Sequence, residues 1–475
     1  MITFICAIIL LLCGYWLYGR LVERVFRPDS RPTPAVAHPD GVDFVPMKTW
    51  RVFLIQLLNI AGTGPIFGAL MGAVFGPVVF LWIVFGSILG GAVHDYMSGM
   101  ISVRMNGASI SEIVGKYLGG AAKQIMRVFS VILLVLLGAV FTTSPAALIA
   151  RLTPAWMNTQ FWVAVILVYY LLATLLPIDK LIGKLYPIFG GVLIIMVVGI
   201  IGGLIAGGYT LPELVIADLH PDGLPVWPFM FVTVACGAVS GFHATQSPMM
   251  ARCMKTEKEG RRVFYGAMIA ESIIALVWAA AGVAFYGTTG GLQQALAELG
   301  RSGVVYDISV SLLGVIGGVL AIIGVVVCPV SSGDTAFRSA RLTIADWFHL
   351  DQSRLPKRLA VTLPLLLAGA LLTQLNFDVI WRYFSWSNQT LAMITLWAAA
   401  MYLVRHAEKW WYSLMCALPA AFMSGVSCTY ILMAEEGFRL SQGIAYPVGG
   451  LFAAACMALY LVKAVQRSRE SQLSH

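Results

Sequence analysis

The sequence predicts an all-helical membrane protein with about thirteen transmembrane spans, ten of them arranged as two five-span repeats of opposite orientation. Three observations lead to this prediction. The 475 residues are 59% hydrophobic and only 11% charged, with a mean hydropathy of +0.83. Apolar stretches of about 20 residues, the length that a bilayer requires, recur along the whole chain. Two of these stretches, five spans apart, are interrupted by glycine, proline and polar residues.

The composition also excludes several classes of protein. A globular domain carries about 25% charged residues, so this chain cannot cover a water-facing surface. A soluble enzyme and a nucleic-acid-binding domain are therefore excluded, and the net charge of +8 is not a nucleic-acid footprint. None of the eight cysteines has the spacing of metal ligands or of a disulfide framework. We interpret them as small buried hydrophobic residues, and we expect no cofactor and no metal beyond a coupling Na⁺.

The predicted spans alternate in direction, and the distribution of basic residues sets their orientation. The spans are 2–19, 52–72, 76–103, 122–150, 160–177, 186–207, 226–250, 262–287, 303–330, 357–374, 381–404, 410–433 and 445–465. With the N-terminus outside and the C-terminus cytoplasmic, nearly all of the 31 lysines and arginines fall in cytoplasmic segments. We expect a multi-pass protein of a bacterial cytoplasmic (inner) membrane.

The chain divides at the polar segments between groups of spans. Its parts are 1–51 (an N-terminal span and a cytoplasmic linker), 52–207 (the first five-span repeat), 208–225 (an extracytoplasmic loop), 226–404 (the second repeat) and 405–475 (two C-terminal spans and a basic tail). Within the first repeat, Ser109 and Glu112 have the spacing of a capping box, which predicts a short interfacial helix between two spans.

Two spans are poorly suited to forming continuous helices. Span two contains Asn59, Gly62, Thr63, Gly64 and Pro65, and span seven contains the run SGFHATQSP at 240–248. Lipid cannot satisfy free backbone N–H and C=O groups, so unwound backbone persists only around a polar ligand or a watered cavity. Paired interruptions at matching positions of opposed repeats point to the substrate site of a secondary transporter. The alternative is that these glycines and prolines only allow close packing or a kink.

The polar residues around the two interruptions are the candidate site. The expected substrate-binding residues are Asn59, Gly62, Thr63, Gly64, Ser240, Gly241, His243 and Gln246. A small carboxylate would be held there by backbone N–H groups and side chains, because no arginine or lysine is predicted at mid-membrane. The ring of His243 could change its charge near neutral pH and thereby couple protonation to binding.

A second polar group lies at the inner end of span nine. Ser331, Asp334 and Thr335 share one helix face that offers several oxygens and one carboxylate. We expect a coupling ion, Na⁺ or H⁺, between this face and backbone carbonyls of the first interruption; the candidate residues are Ala61, Ser331, Ser332 and Asp334. The alternative is that Asp334 pairs with Arg338 and that the serines bond their own backbone.

Ionisable and amide residues inside other spans are candidates for supporting roles. His94, Asp95, Asn388 and Gln389 form this supporting set, and Glu271 lies in span eight with no partner evident from the sequence. We favour gating or helix contacts over direct ligation for the two amides.

Several strings together resemble the carbon-starvation protein A (CstA) family of inner-membrane transporters. They are NIAGTGPIFG (59–68), GAVHDYMSG (91–99), CGAVSGFHATQSP (236–248), SSGDTAFRSAR (331–341) and SNQTLA (387–392). The resemblance implies a leucine-transporter-like fold and uptake of pyruvate or peptides coupled to H⁺ or another cation. The chain resembles a shorter member of that family. It departs from the pattern at His94, where an amide is expected, and after His243.

The resulting hypothesis is a secondary active transporter that imports a small pyruvate-like carboxylate or short peptides by alternating access. Spans two, three, seven and eight would move against spans four, five, nine and ten. An amino-acid symporter of the same fold and a passive channel are the alternatives. The expected partners are a small-molecule substrate and the lipid bilayer, not nucleic acid, and the sequence leaves a homodimer open. An intramembrane aspartyl protease is disfavoured because Asp307 and Asp334 lie about 40 Å apart on one predicted helix.

Overall fold

The computed structural model describes residues 1–41, 43–175, 178–352 and 354–473, and every regular element in that part of the chain is helical. The first half contains α1 Ile2–Phe26, α2 Pro34–Ala37, α3 Thr49–Ala61, α4 Gly64–Ala73, α5 Val79–Arg104, α6 Ile110–Leu118, α7 Gly120–Leu152, α8 Thr159–Leu175 and α9 Ile178–Ala206. The second half contains α10 Val226–Thr233, α11 Gly241–Ala251, α12 Glu257–Tyr286, α13 Thr289–Phe348, α14 Leu355–Leu372, α15 Phe377–His406, α16 Trp410–Met433 and α17 Gln442–Leu473.

Nine helices of the described chain are long and apolar enough to cross a membrane, or ten if the bent pair α3–α4 is one span. The predicted spans outside this set are the shorter α8, the interrupted pair α10–α11 and the more polar α15. The count of thirteen transmembrane spans therefore stays a prediction. The outer surface of the bundle is apolar: Val315 is 87% exposed and Leu451 is 70% exposed. Lipid is the solvent that such a surface requires.

The first interruption lies where the sequence predicts it. Helix α3 ends at Ala61, and Gly62 follows with φ 42° and ψ −135°, a conformation that residues with a Cβ rarely adopt. Helix α4 begins at Gly64, with Pro65 in its first turn, where a proline has no N–H bond to lose. The axes of α3 and α4 are bent by 46°.

The second interruption does not lie where the sequence predicts it. Of the predicted residues 240–248, only Ser240 is non-helical, because α11 begins at Gly241 and continues through Pro248. The non-helical stretch is 234–240 instead, and it contains Gly237 with φ 91°. Gly241 serves close packing, since a Cβ there would lie 2.4 Å from the backbone nitrogen of Ala392.

The predicted ninth span is also wrong in its first half. The helical run α13 is broken at Gly300 (φ 68°) and at Gly314 (φ 59°, ψ −142°). A Cβ on Gly317 would lie 1.9 Å from the carbonyl oxygen of Ser309, so the chain folds back on itself around Gly314. Asp307 and Asp334 therefore lie in different segments, and the single-helix separation assumed for them does not apply.

The linker after α1 is attached to the bundle through backbone hydrogen bonds. Val45 donates to the carbonyl oxygen of Arg252 at 3.2 Å, and Met47 donates to that of Cys253 at 2.9 Å. The hydroxyl of Thr33 donates to the carbonyl oxygen of Met254 at 2.5 Å. Three points of the linker thus lie against the segment that follows α11.

The short helix predicted between spans three and four is present as α6, but the capping box is not formed. Ser109 is the N-cap residue, and its side chain makes no capping hydrogen bond. Glu112 instead accepts hydrogen bonds from Lys123 at 2.5 Å and from Arg127 at 2.7 Å. The competing basic residues, both on α7, tie α6 to the next helix.

Candidate functional site

The two interrupted spans meet at the centre of the bundle. A Cβ on Gly64, the first residue of α4, would lie 2.4 Å from Sγ of Cys236 in the second non-helical stretch. A Cβ on Gly68 would lie 3.0 Å from the carbonyl oxygen of Thr233, the last residue of α10. The backbones of α4 and of residues 233–236 are therefore in direct contact, and glycine is the residue that permits this approach.

The first interruption carries buried polar atoms without partners. Both side-chain atoms of Asn59 and the hydroxyl of Thr63 are fully buried and make no hydrogen bond with the described residues. Gln56, one turn earlier on α3, is in the same condition. Such groups each cost about 1–3 kcal/mol when unsatisfied, so they are expected where a ligand or water binds.

The predicted coupling-ion residues are only partly brought together. Ser332 Oγ donates to the carbonyl oxygen of Leu58 at 3.0 Å, which places α13 against the end of α3. Ser331 Oγ donates to Cys328 within its own helix, as in the alternative interpretation. Asp334 Oδ2 accepts a hydrogen bond from the hydroxyl of Tyr186 at 3.0 Å, a residue of α9 that the sequence analysis missed.

The start of α11 is held by α15. Asn388 Oδ1 accepts a hydrogen bond from the backbone N–H of Phe242 at 2.6 Å, and its Nδ2 donates to Ser240 Oγ at 3.0 Å. A free N–H at a helix start is therefore capped from a neighbouring helix. This agrees with the helix-contact role expected for Asn388. Gln389 donates to the carbonyl oxygen of Phe231 at 2.8 Å, on α10.

His243 lies between two carboxylates. Its Nδ1 is 2.9 Å from Asp95 Oδ2, and its Nε2 is 3.4 Å from Glu271 Oε2. The other oxygen of Asp95 is 2.8 Å from Nδ1 of His94, and all four side chains are fully buried. Glu271 thus has the partner that the sequence did not reveal. Gln246 is one turn further along α11, where its Oε1 is 3.5 Å from Ser339 Oγ.

A cavity of about 750 Å³, which we call the vestibule, opens on the end of the bundle that carries Leu224 and extends to Thr233 and Ser385. Its charged lining residues are paired: Arg301 with Asp378 at 2.8 Å, and Arg382 with Glu436 at 3.2 Å. Thr233 directly precedes the second non-helical stretch, so the vestibule ends beside the site.

The description "Carbon starvation protein CstA" belongs to the family profile that matches residues 1–159 and 150–300. The chain belongs to the CstA family.

Curated relatives of this CstA-family chain include transporters. An uncharacterized membrane protein of Haemophilus influenzae is 41% identical over 349 residues, covering 62% of this chain and 94% of the relative. The peptide transporter CstA of Bacillus subtilis is 26% identical, and the alignment covers 93% of this chain and 90% of that transporter. The pyruvate/proton symporter BtsT of Escherichia coli is 28% identical, covering 55% of this chain but 46% of that one, so this chain is the shorter of the two.

Solved structures with a similar fold are transporters as well. A mutant of the Eremococcus coleocola manganese transporter aligns with a TM-score of 0.56 at 11% identity, covering 91% of this chain and 99% of that one. MhsT in complex with L-phenylalanine aligns with a TM-score of 0.56 at 15% identity, covering 87% and 98%. This CstA-family chain therefore has the leucine-transporter class of fold that the family resemblance implied.

Proposed function

We propose that the protein is a secondary active transporter that imports a small carboxylate or a short peptide by cation symport. The observation that carries this proposal is the pair of unpartnered polar residues, Asn59 and Thr63, at the contact between the two interrupted spans. Unwound backbone and unsatisfied side chains at this depth are stable only if a polar solute or water occupies the gap. The names of the curated relatives, a peptide transporter and a pyruvate/proton symporter, support the class of solute.

The substrate set that we propose is centred on the first interruption. Asn59 and Thr63 supply side-chain contacts, and the free backbone groups around Gly62 and Gly64 supply the rest. Ser240 and Gly241 contribute backbone groups and close helix packing, because the Ser240 hydroxyl already accepts a hydrogen bond from Asn388. His243 is a poor ligand for a carboxylate in this arrangement, since Asp95 and Glu271 on either side would repel an anion.

We place the coupling cation, H⁺ or Na⁺, next to the same interruption. Ser332 Oγ and the Leu58 carbonyl oxygen are 3.0 Å apart, and a Cβ on Gly62 would lie 3.3 Å from that hydroxyl. Asp334, two residues along α13, supplies the carboxylate. A cation bound here would hold α13 against the interrupted α3–α4 pair, which links ion binding to the substrate site.

The vestibule is the proposed extracytoplasmic approach to the site. Arg301 and Arg382 can attract a carboxylate, while Glu435 and Glu436 can attract an amino group. Its volume suits a short peptide as well as a smaller acid. The two five-span repeats, spans 2–6 and 7–11, would then exchange access between the vestibule and the cytoplasmic side. This assignment places the protein in the bacterial inner membrane with its N-terminus outside.

Uptake by purified protein in liposomes tests the proposal. Labelled pyruvate, a dipeptide and an amino acid are each offered with an imposed pH gradient, a Na⁺ gradient or neither. We expect accumulation above equilibrium for at least one of the first two solutes under one gradient. Asn59→Ala and Thr63→Val should reduce it at least tenfold, whereas Thr362→Val, which removes a hydroxyl bonded within α14, should not. Equilibration without accumulation would identify a channel, and a response to the amino acid alone would identify the alternative symporter.

A further inference from the structure

The side chains of Cys236, His243 and Glu271 form a compact donor cluster that the transport proposal does not use. One sulfur, one ring nitrogen and one carboxylate oxygen lie within 4.8 Å of one another, and all three side chains are buried. They come from three separate places: the second non-helical stretch, the first turn of α11 and the middle of α12. The positions of these three side chains relative to one another are therefore set by the packing of the three segments and not by the periodicity of one helix.

Asp95 determines which nitrogen of His243 is free. An ionised carboxylate can only accept hydrogen bonds, so Nδ1 of His243 carries the proton that it shares with Asp95 at 2.9 Å. Nε2 then presents a lone pair to the carboxylate of Glu271 at 3.4 Å. In the described chain, Nε2 and both oxygens of Glu271 are buried and make no hydrogen bond of normal geometry with another side chain, while the backbone N–H of Gly237 lies near the Glu271 carboxylate. Two acceptors that face each other in a buried place need either a proton or a metal ion between them.

The distance between these atoms distinguishes a metal ion from a proton. A charge-assisted hydrogen bond between imidazolium and carboxylate would have a length of about 2.7–2.9 Å. A tetrahedral ion with metal–ligand bonds of about 2.0–2.1 Å holds a nitrogen and an oxygen ligand about 3.3 Å apart. The observed 3.4 Å fits the edge of a metal site, and Cys236 Sγ lies within 4.8 Å of the other two ligand atoms, so that a small inward shift would complete a third ligand position.

Charge and ligand type indicate which ion would bind. A divalent ion has no net charge together with one thiolate, one carboxylate and a neutral imidazole, which lowers the cost of burying it. The carboxylate of Asp95 lies outside these ligands and contacts both His94 and His243. A sulfur ligand beside imidazole favours Zn²⁺ or Co²⁺ over Mg²⁺, Ca²⁺ or Mn²⁺. Asp95 takes the position of an outer carboxylate that orients a ligating histidine, and His94 in turn contacts Asp95 at 2.8 Å.

We propose that Cys236, His243 and Glu271 bind one Zn²⁺-class ion, with Asp95 fixing the imidazole and a fourth coordination position left open. The ion would fasten the second non-helical stretch to α12. It would also fix the position of the Cys236 sulfur next to Gly64, which Cys236 contacts. The proposed metal site is separate from the proposed substrate site and does not depend on which solute is transported.

Titration of the metal-stripped, full-length protein in detergent with Co²⁺ tests the site. We expect one equivalent of Co²⁺ per chain, a sulfur-to-cobalt charge-transfer band in the near ultraviolet, and loss of the band when Zn²⁺ is added. Cys236→Ser should abolish the band, Glu271→Gln should weaken binding at least tenfold, and Asp95→Asn should weaken it about 10- to 100-fold. Cys253→Ser is the matched control, because this buried cysteine lies after α11 and outside the cluster.

Two results would overturn the proposal: a wild-type chain without a stoichiometric band, or a Cys236→Ser variant that keeps it. If Cys236→Ser does not fold, a chain with Cys236 as its sole cysteine replaces it, and Zn²⁺ must protect that thiol from alkylation. Uptake assays run with a chelator separate this inference from the transport function. Absence of metal binding with intact uptake would reject the metal site alone.

Discussion

The hydroxyl of Ser332 donates a hydrogen bond of 3.0 Å to the carbonyl oxygen of Leu58, the same oxygen that receives the N–H of Gly62 at 3.4 Å. One acceptor therefore serves both the last turn of α3 and helix α13. We expect a change in the position of α13 to reach the first interruption through this contact.

Replacement of Ser332 by alanine should uncouple transport from the ion gradient. The variant loses a hydrogen bond with a net contribution of about 0.5–1.5 kcal/mol and one oxygen of the proposed ion site. We expect at least a tenfold loss of gradient-driven uptake. Ser331→Ala is the control, since that hydroxyl bonds within its own helix; equal losses in both variants would contradict the assignment.

Replacement of Asn59 by alanine should abolish uptake without lowering stability. The amide is buried and makes no hydrogen bond with the described residues, so its removal relieves an unsatisfied group instead of breaking a contact. A thermal-unfolding measurement in detergent should give an unchanged or higher Tm. Ser87→Ala, which removes a buried hydrogen bond to Ser272 at 2.5 Å, should lower the Tm. A clear drop for Asn59→Ala would show that the residue has a structural partner.

Replacement of Asn388 by alanine should destabilise the start of α11. The N–H of Phe242 would lose its cap, and such losses typically cost about 0.5–2 kcal/mol. We expect a lower Tm and faster hydrogen exchange at the first turn of α11. Thr390→Val on the same helix removes a hydroxyl that contacts Ser427 instead, so exchange in α11 should stay as in the wild type.

Replacement of Gly64 by alanine should destabilise the contact between the two interruptions. The new Cβ would lie 2.4 Å from Sγ and 2.5 Å from Cβ of Cys236, which forces the backbones apart. Combining it with Cys236→Gly removes the clash, so a double-mutant cycle on Tm should show a positive coupling. Gly191→Ala, with open space around the added Cβ, is the control and should be neutral or stabilising. Additive effects of the pair would refute the contact.

The ion pairs of Glu112 should make stability depend on pH. Burial acts to raise the pKa of this carboxyl, but the hydrogen bonds from Lys123 and Arg127 outweigh it and lower the pKa. A carboxyl whose pKa is lowered by folding stabilises the folded state at pH values above its pKa in the unfolded chain. This stabilisation is lost as the pH falls through the folded-state pKa. The Tm difference between wild type and Glu112→Gln should therefore be present at pH 7 and shrink in acid. A constant difference would contradict the pairing.

Much of the fold and the first interruption could be predicted from the sequence because they depend on local chemistry. The φ of 42° at Gly62 requires glycine, and apolar length and basic loops reflect the membrane directly. The sequence predicts the second interruption too late in the chain, because Gly241 and Pro248 resemble unwinding signals. Gly241 instead permits close packing against α15, and Pro248 is accommodated within the continuous helix α11.

The cluster around His243 could not be predicted in the same way. Asp95 and His243 are 148 residues apart in sequence, and their contact depends on the packing of α11 against α5. Sequence spacing predicts only a buried hydrophobic role for Cys236, because spacing identifies only ligands that are near one another in the chain. The available signal is the presence of the ionisable residues His94, Asp95 and Glu271 within predicted spans, since each ionisable residue within a span needs a partner.

The linker hydrogen bonds to Arg252, Cys253 and Met254 have a consequence for conformational cycling. The end of α11 cannot tilt unless residues 45–47 travel with it or two main-chain bonds open. A fluorophore on the linker would therefore report motion at the bundle core without any label inside it. The linker therefore offers an accessible labelling position from which the conformation of the buried helices can be followed.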